Sequence, residues 1–331
     1  MAALWRTSMI FRLMAIAVAL GVLGCTQPEQ KPKEPPVPIS TTHQPAVIQD
    51  VPKPAIKDVI VLVSEDIAAY SDVAEALAKK LGQRGTIHYL QGSLFDNMRA
   101  LAAYGDDKNK QFVSIGLNAS VMAKSLEDSQ VVFCQVFNYQ DYSLLTDRHK
   151  GVSMVPISRT FATWRALAPG ITDIGVITGA GLDDMIRTAN SVAKKYGVML
   201  HHVAVNSDKE YQFAFKEMAG SVQGYWLLPD NRVLSGSILR EVMTFSVRNG
   251  KQVAVFSDEL LNLGGLFSIS SDPENIAQQV FERLEQAQNL DTIPGADISY
   301  LDRAILRINS VMAQRFNLKI PKQYKKYQDA S

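Results

Sequence analysis

Residues 59–63, "VIVLV", are followed at 70–85 by "YSDVAEALAKKLGQRG", and this pair decides how the chain is read. Five consecutive aliphatic residues describe a strand covered on both faces, as in a parallel sheet. In the second stretch Tyr70, Val73, Ala74, Leu77 and Leu81 recur at helical spacing and form one apolar face. A strand feeding an amphipathic helix is the repeating unit of an α/β fold, with right-handed crossovers between parallel strands.

The unit recurs along the chain. "TIHYL" (86–90) precedes a helical pattern near 93–103, "QFVSIG" (111–116) precedes one near 118–127, and "VVFCQVF" (131–137) closes a first set. A second set runs through "DIGVITG" (173–179), a helix over 182–196 ended by Gly197, "MLHHVAV" (199–205), a helix over 208–219, "VQGYWLLP" (222–229), a helix over 234–249 and "QVAVFS" (252–257). "SSDPENIAQQVFERLEQAQ" (270–288) offers Asp272 as N-cap and Pro273 at the first helical position, with Ile276, Val280 and Leu284 on one face. Two such sets predict two doubly wound, Rossmann-like lobes. Ligands in these lobes bind outside the carboxyl ends of the strands, so facing lobes form an interlobe cleft. The expected boundaries are an N-terminal lobe over 58–155 with a return segment near 264–290, a C-terminal lobe over 156–263 with 291–321, and a tail over 322–331.

The first 57 residues read differently. Arg6 and Arg12 precede twelve apolar residues, Leu13 to Gly24, and no acid occurs among them. A basic start, a short apolar stretch and small residues at its end describe a secretory signal peptide over 1–24. As a helix the apolar run spans roughly 18 Å, against a hydrocarbon core of about 30 Å. "VLGC" resembles the bacterial lipobox, which implies cleavage after Gly24 and acylation of Cys25. Eight of the fourteen prolines fall between Cys25 and Lys57. A segment so poor in apolar surface predicts an extended linker over 25–57, holding the folded part away from a lipid membrane.

Without Arg6 and Arg12, 32 basic side chains face 33 acidic ones, a net charge of −1, and nothing in that balance points to a nucleic-acid partner; none is expected. With Cys25 acylated, Cys134 has no second cysteine to pair with, and its setting in "VVFCQVF" reads as a buried strand thiol.

Further motifs support a family resemblance. "QFVSIGLNASVMAKSL" (111–126), "ALAPGITDIGVITGAG" (166–181), "VQGYWLLPDNRVLS" (222–235), "VAVFSDELLNLGGLFSISSDPENIAQQ" (253–279) and "ILRINSVMAQRFNLKIP" (305–321) occur in that order. The chain thereby resembles, over about 58–321, a group of ABC-transporter substrate-binding proteins. The resemblance implies a fold of the periplasmic binding protein type 1-like class, in a group with some members that bind aromatic amino acids. It departs from the group where "GLNA" replaces a "GTPA"-like loop, and where "ITGAG" replaces an asparagine-proline motif.

Catalytic signatures do not emerge. The five histidines, His43, His88, His149, His201 and His202, match no HExxH spacing, and adjacent strand residues such as His201 and His202 point to opposite faces. "GAGLDD" carries Asp184 where a dinucleotide fingerprint needs its third glycine, and neither a GxSxG elbow nor a P-loop occurs. The reading is therefore a binding protein, not an enzyme, with no cofactor.

Candidate ligand contacts lie in the strand-end loops. Ser64, Tyr70, Asn118, Ala119 and Ser120 sit where helix N-termini offer N–H groups to an anion, or serve as ordinary caps. Thr178, Asp183, Asp230 and Asp258 lie in the opposing loops, where a carboxylate meets a ligand ammonium or caps the next helix. Phe137 and Tyr139 either stack on a ligand ring or pack under the hinge. The leading expectation is a lipid-anchored solute-binding component that closes on a small-molecule ligand and delivers it to an ABC permease. The alternative is an envelope lipoprotein that uses the same fold to hold another envelope protein. Thr26 after the cysteine, instead of the aspartate of many inner-membrane lipoproteins, leaves outer-membrane sorting open.

Overall fold

The computed structural model describes residues 57–106 and 108–328. The signal peptide, Cys25 and nearly all of the proline-rich linker lie outside the described residues. The chain enters through β1 (Val59–Val63), followed by α1 (Ala68–Leu81), β2 (Gly85–Tyr89), α2 (Leu94–Tyr104), β3 (Gln111–Ile115), α3 (Leu117–Ala123), β4 (Gln130–Cys134) and β5 (His149–Val152). It crosses to a second lobe with α4 (Ile157–Leu167), β6 (Asp173–Gly179), α5 (Asp183–Lys195), β7 (Met199–Val205), α6 (Asp208–Met218), β8 (Gly224–Trp226), α7 (Gly236–Arg248), β9 (Gln252–Val255) and β10 (Phe267–Ser271). It returns to the first lobe with α8 (Pro273–Ala287) and β11 (Ile298–Ser299), then ends in the second with β12 (Ala304–Ile308) and α9 (Ser310–Arg315).

Two six-stranded sheets result, with orders β11-β5-β4-β3-β1-β2 and β12-β10-β9-β8-β6-β7. Every pairing is parallel except β10 with β12. All five residues of β1 are buried, as a strand covered on both faces requires. On α1, Val73, Ala74, Leu77 and Leu81 are buried and share a core with Ile276, Val280 and Leu284 of α8. Each fully buried Val, Leu or Ile side chain here contributes about 1.5–3 kcal/mol relative to exposure. The start of α8 is capped as its sequence indicates. Asp272 Oδ1 accepts the N–H groups of Glu274 at 3.0 Å and Asn275 at 3.3 Å, with Pro273 as the first helical residue.

The lobe boundaries differ from the expected ones in three places. β10 does not belong to the return segment. It pairs with β9, Phe267 opposite Ala254, and buries Phe267 against Trp164 of the second lobe. Residues 291–299 stay in the first lobe, because β11 pairs with β5 and the Ile293 N–H reaches Asp147 O at 3.2 Å. Residues 322–327 are not a free tail but a 3-10 turn that places Tyr324, 8% exposed, in the core of the second lobe.

Candidate functional site

Parallel pairing brings the carboxyl ends of β1, β3 and β4 to one edge of the first sheet, and those of β6, β8, β9 and β10 to one edge of the second. The segments after β4 and β8 touch, so the two edges face one another. Asp141, after β4, bonds Arg232, after β8.

On the first lobe most predicted polar groups serve the loop itself. Ser64 Oγ accepts the Ala119 N–H at 2.8 Å, which caps α3, the second of the two roles its position in the sequence offers. Ser120 is buried, donates to Gly116 O at 2.8 Å and lies 3.0 Å from Ser114 Oγ. Gly116 sits at φ +86°, and a Cβ there would come within 2.7 Å of Ser64 Oγ and Tyr70 Cζ. Only glycine meets both demands. Tyr70 is half-buried against this corner, and burial first, then nearby Glu65, raises its phenol pKa, so the hydroxyl keeps its proton. Asn118 is exposed.

The segment after β4 carries features that no sequence pattern announces. Gln135 and Ser143 adopt left-handed φ of 56° and 50° without being glycine. Gln135 is held there by an Nε2 bond to Ala69 O at 2.8 Å. Between them the 3-10 turn Tyr139–Tyr142 presents Asp141 to the second lobe. Phe137 packs against the core of the second lobe, and Tyr139 is buried with its ring 5.7 Å from Phe133. Phe137 thus packs toward the second lobe, while Tyr139 packs within the first beside Phe133, Leu144 and Ile298.

On the second lobe Asp230 departs from its expected role. It is 2% exposed, and its oxygens accept Gly179 N–H at 2.7 Å and Arg232 Nε and Nη2 at 2.8 Å each. No face of this carboxylate remains for a ligand ammonium. Asp230 instead fixes Arg232, whose guanidinium lies flat over Gly179. A Cβ on Gly179 would stand 2.8 Å from Arg232 Cζ. The remaining nitrogen, Nη1, bonds Ala180 O at 3.0 Å and, across the cleft, Asp141 Oδ2 at 2.7 Å. The second lobe therefore presents a cation where the sequence suggested an anion. Arg232 stands two residues after Asp230 in "LPDNRV", and an aspartate followed at that spacing by arginine after a strand end is the local signal for such a pair.

Asp258 is also committed, to Ser268 Oγ and to Arg307 Nε of the edge strand β12. Thr178 is fully buried; its hydroxyl donates to Gly179 O at 2.8 Å and meets His202 Nε2 at 2.9 Å. Burial lowers the His202 pKa, which keeps that imidazole neutral in this internal contact. Asp183 is exposed in the first turn of α5.

An apolar pocket of about 70 Å³ opens at the carboxyl ends of β8, β9 and β10, beneath the first crossing between the lobes. Met154, Pro156, Trp226, Pro229 and Phe256 line it, with Ser271 as a polar group. Its Leu228 and Pro229 lead directly into Asp230. A larger, polar depression of about 820 Å³ runs along α8 past Gln278 and Arg283, away from the strand ends where such folds bind ligands. Cys134 is fully buried, and burial pushes its thiol up to about 12, far from thiolate chemistry. Among the described residues no group of His, Cys, Asp and Glu is placed to hold a metal ion.

Known structures share this architecture. A ligand-free, open substrate-binding protein with adhesive properties from Clostridium difficile aligns with TM-score 0.59 at 15% identity, over 83% of this chain and 100% of that one. An ABC domain from Streptococcus pneumoniae in complex with L-Trp aligns with TM-score 0.54 at 20% identity, over 82% and 99%. A conserved domain protein from Vibrio cholerae aligns with TM-score 0.53 at 17% identity, over 83% and 99%. No family model and no curated protein matches the chain. At these identities the likeness concerns the fold, which is that of the two-lobed, periplasmic binding protein type 1-like class.

Proposed function

We propose that the protein is the solute-binding component of an ABC importer, anchored to a membrane through acylated Cys25 and closing its lobes around a small molecule. The observation that carries the reading is the pairing of strand-end loops across the cleft, where Arg232 of one lobe meets Asp141 of the other. Closure of such lobes selects a liganded conformation from a hinge equilibrium, and three crossing segments form the hinge. The fold shared with substrate-binding proteins supports the reading, as does the "VLGC" leader followed by a proline-rich arm.

Two measurements test it. Ligand should raise the melting temperature by mass action. At a hundred times its dissociation constant a ligand stabilises by about 2.7 kcal/mol. For a chain of this size that corresponds to roughly 5–10 °C. The panel starts with aromatic amino acids, then the other amino acids, short peptides and nucleosides. If nothing shifts the transition and the protein instead captures an envelope protein, the transport reading gives way to the scaffold reading. Mass spectrometry of detergent-extracted protein should show a mature chain beginning at an acylated Cys25, and a chain retaining residues 1–24 would refute the anchor.

A further inference from the structure

We propose that Arg232 is the cleft's receptor for a carboxylate of the ligand, and that Asp141 is an internal carboxylate holding the ligand's place. This rests on the solute-binding reading and names the chemistry of its site. Every group that fixes Arg232 belongs to its own lobe: Asp230 takes Nε and Nη2, Ala180 O accepts from Nη1, and Gly179 leaves room for the guanidinium plane. The side chain therefore stays in position when the lobes part. What leaves is Asp141, and Nη1 then faces an open cleft as a preorganised cation. A guanidinium held by two of its nitrogens and offering the third suits a carboxylate, which a flexible lysine would not orient.

Asp141 is suited to being displaced. Its side chain is 36% exposed, and ion pairs at such wet positions are weak. Apart from Arg232, its carboxylate has a long contact from Asn138 Nδ2 at 3.4 Å. The turn that carries it is bracketed by the two left-handed residues Gln135 and Ser143, so its approach to Arg232 is built into the loop.

The test compares carboxylic acids with their neutral amides (L-tryptophan, L-phenylalanine, indole-3-acetate and their amides) by calorimetry and melting temperature. The proteins are the full chain and its Asp141→Asn and Arg232→Gln variants. The acids are expected to bind at least about tenfold more tightly than the amides, the worth of one charge-assisted contact. Asp141→Asn, an isosteric change on an exposed turn, should tighten acid binding because the internal competitor is gone. Arg232→Gln should erase the preference for acid over amide. The proposal is overturned if amides bind as tightly as acids, or if Asp141→Asn weakens acid binding, which would make the ion pair a clasp over a ligand seated elsewhere. Binding of nucleosides or neutral peptides alone would overturn it while leaving the solute-binding reading intact. If no small molecule binds either the parent or Asp141→Asn, both readings fall.

Discussion

Replacing Trp164 by alanine is expected to cost about 3–5 kcal/mol and to lower the melting temperature by roughly 10 °C. Trp164 is fully buried on α4, and its ring meets that of Phe267 edge-on, with centroids 5.5 Å apart and planes at 86°. Its Nε1 donates to Gln252 Oε1 at 2.9 Å. The surroundings cannot easily collapse into the vacated space, because the ring sits over β8. A Cβ on Gly224 would lie 2.8 Å from Trp164 Cζ2 and 2.6 Å from Gln252 O. Truncation leaves both a cavity and an amide oxygen without its donor. Trp164 also ties the helix after the first crossing to the strand before the second, so looser lobe movement should accompany the lost stability. Circular dichroism melts of both proteins decide the matter. A fall smaller than about 3 °C would mean that β8 and β10 close over the gap.

Asp230→Ala is expected to cost about 2–3 kcal/mol, by stranding the Gly179 N–H and releasing two guanidinium nitrogens. The cost stays below that of breaking a wholly buried pair, because the Arg232 side chain is 22% exposed and water can reach it. The larger consequence is in binding. A guanidinium no longer held over Gly179 loses its orientation, and affinity for any cleft ligand that uses it should fall by roughly tenfold or more. Asp141→Ala provides the contrast, since removal of that half-exposed partner should change stability by less than about 1 kcal/mol. Equal destabilisation by the two substitutions would contradict the assignment of Asp230 as the anchor and Asp141 as the replaceable partner.

Much of the architecture was legible in the sequence because burial leaves a period in the chain. "VIVLV" reads as a doubly covered strand and is one, and the stripe Val73, Ala74, Leu77, Leu81 faces the core as its spacing requires. The cap formed by Asp272 and Pro273 was legible for a local reason: the atoms that bond lie within three residues of each other. The site was less legible. From the chain alone, serines and aspartates at strand ends either face a ligand or cap a neighbouring helix. Ser64, Ser120 and Asp230 satisfy neighbours in the protein, since a buried polar group seldom stays unpaired, and the more exposed Asp258 is paired with Ser268 and Arg307.

The sequence by itself determined that the chain forms alternating strands and helices in two sets, which segments carry a buried face, and where α8 begins. Only the tertiary structure decided which sheet each segment joins. An apolar run such as "LFSIS" (266–270) records that it is buried but not beside which strand, and pairing with β9 places it in the second lobe. Tertiary structure also decided the sign of the charge that the second lobe offers the cleft. Asp230 and Arg232 are two residues apart, and either could have faced a ligand. The outcome depends on Gly179, which lies 51 residues before Asp230, and on Asp141, 91 residues before Arg232. Local periodicity reports burial, whereas the pairing of charges is settled by distances that exist only after the lobes have formed.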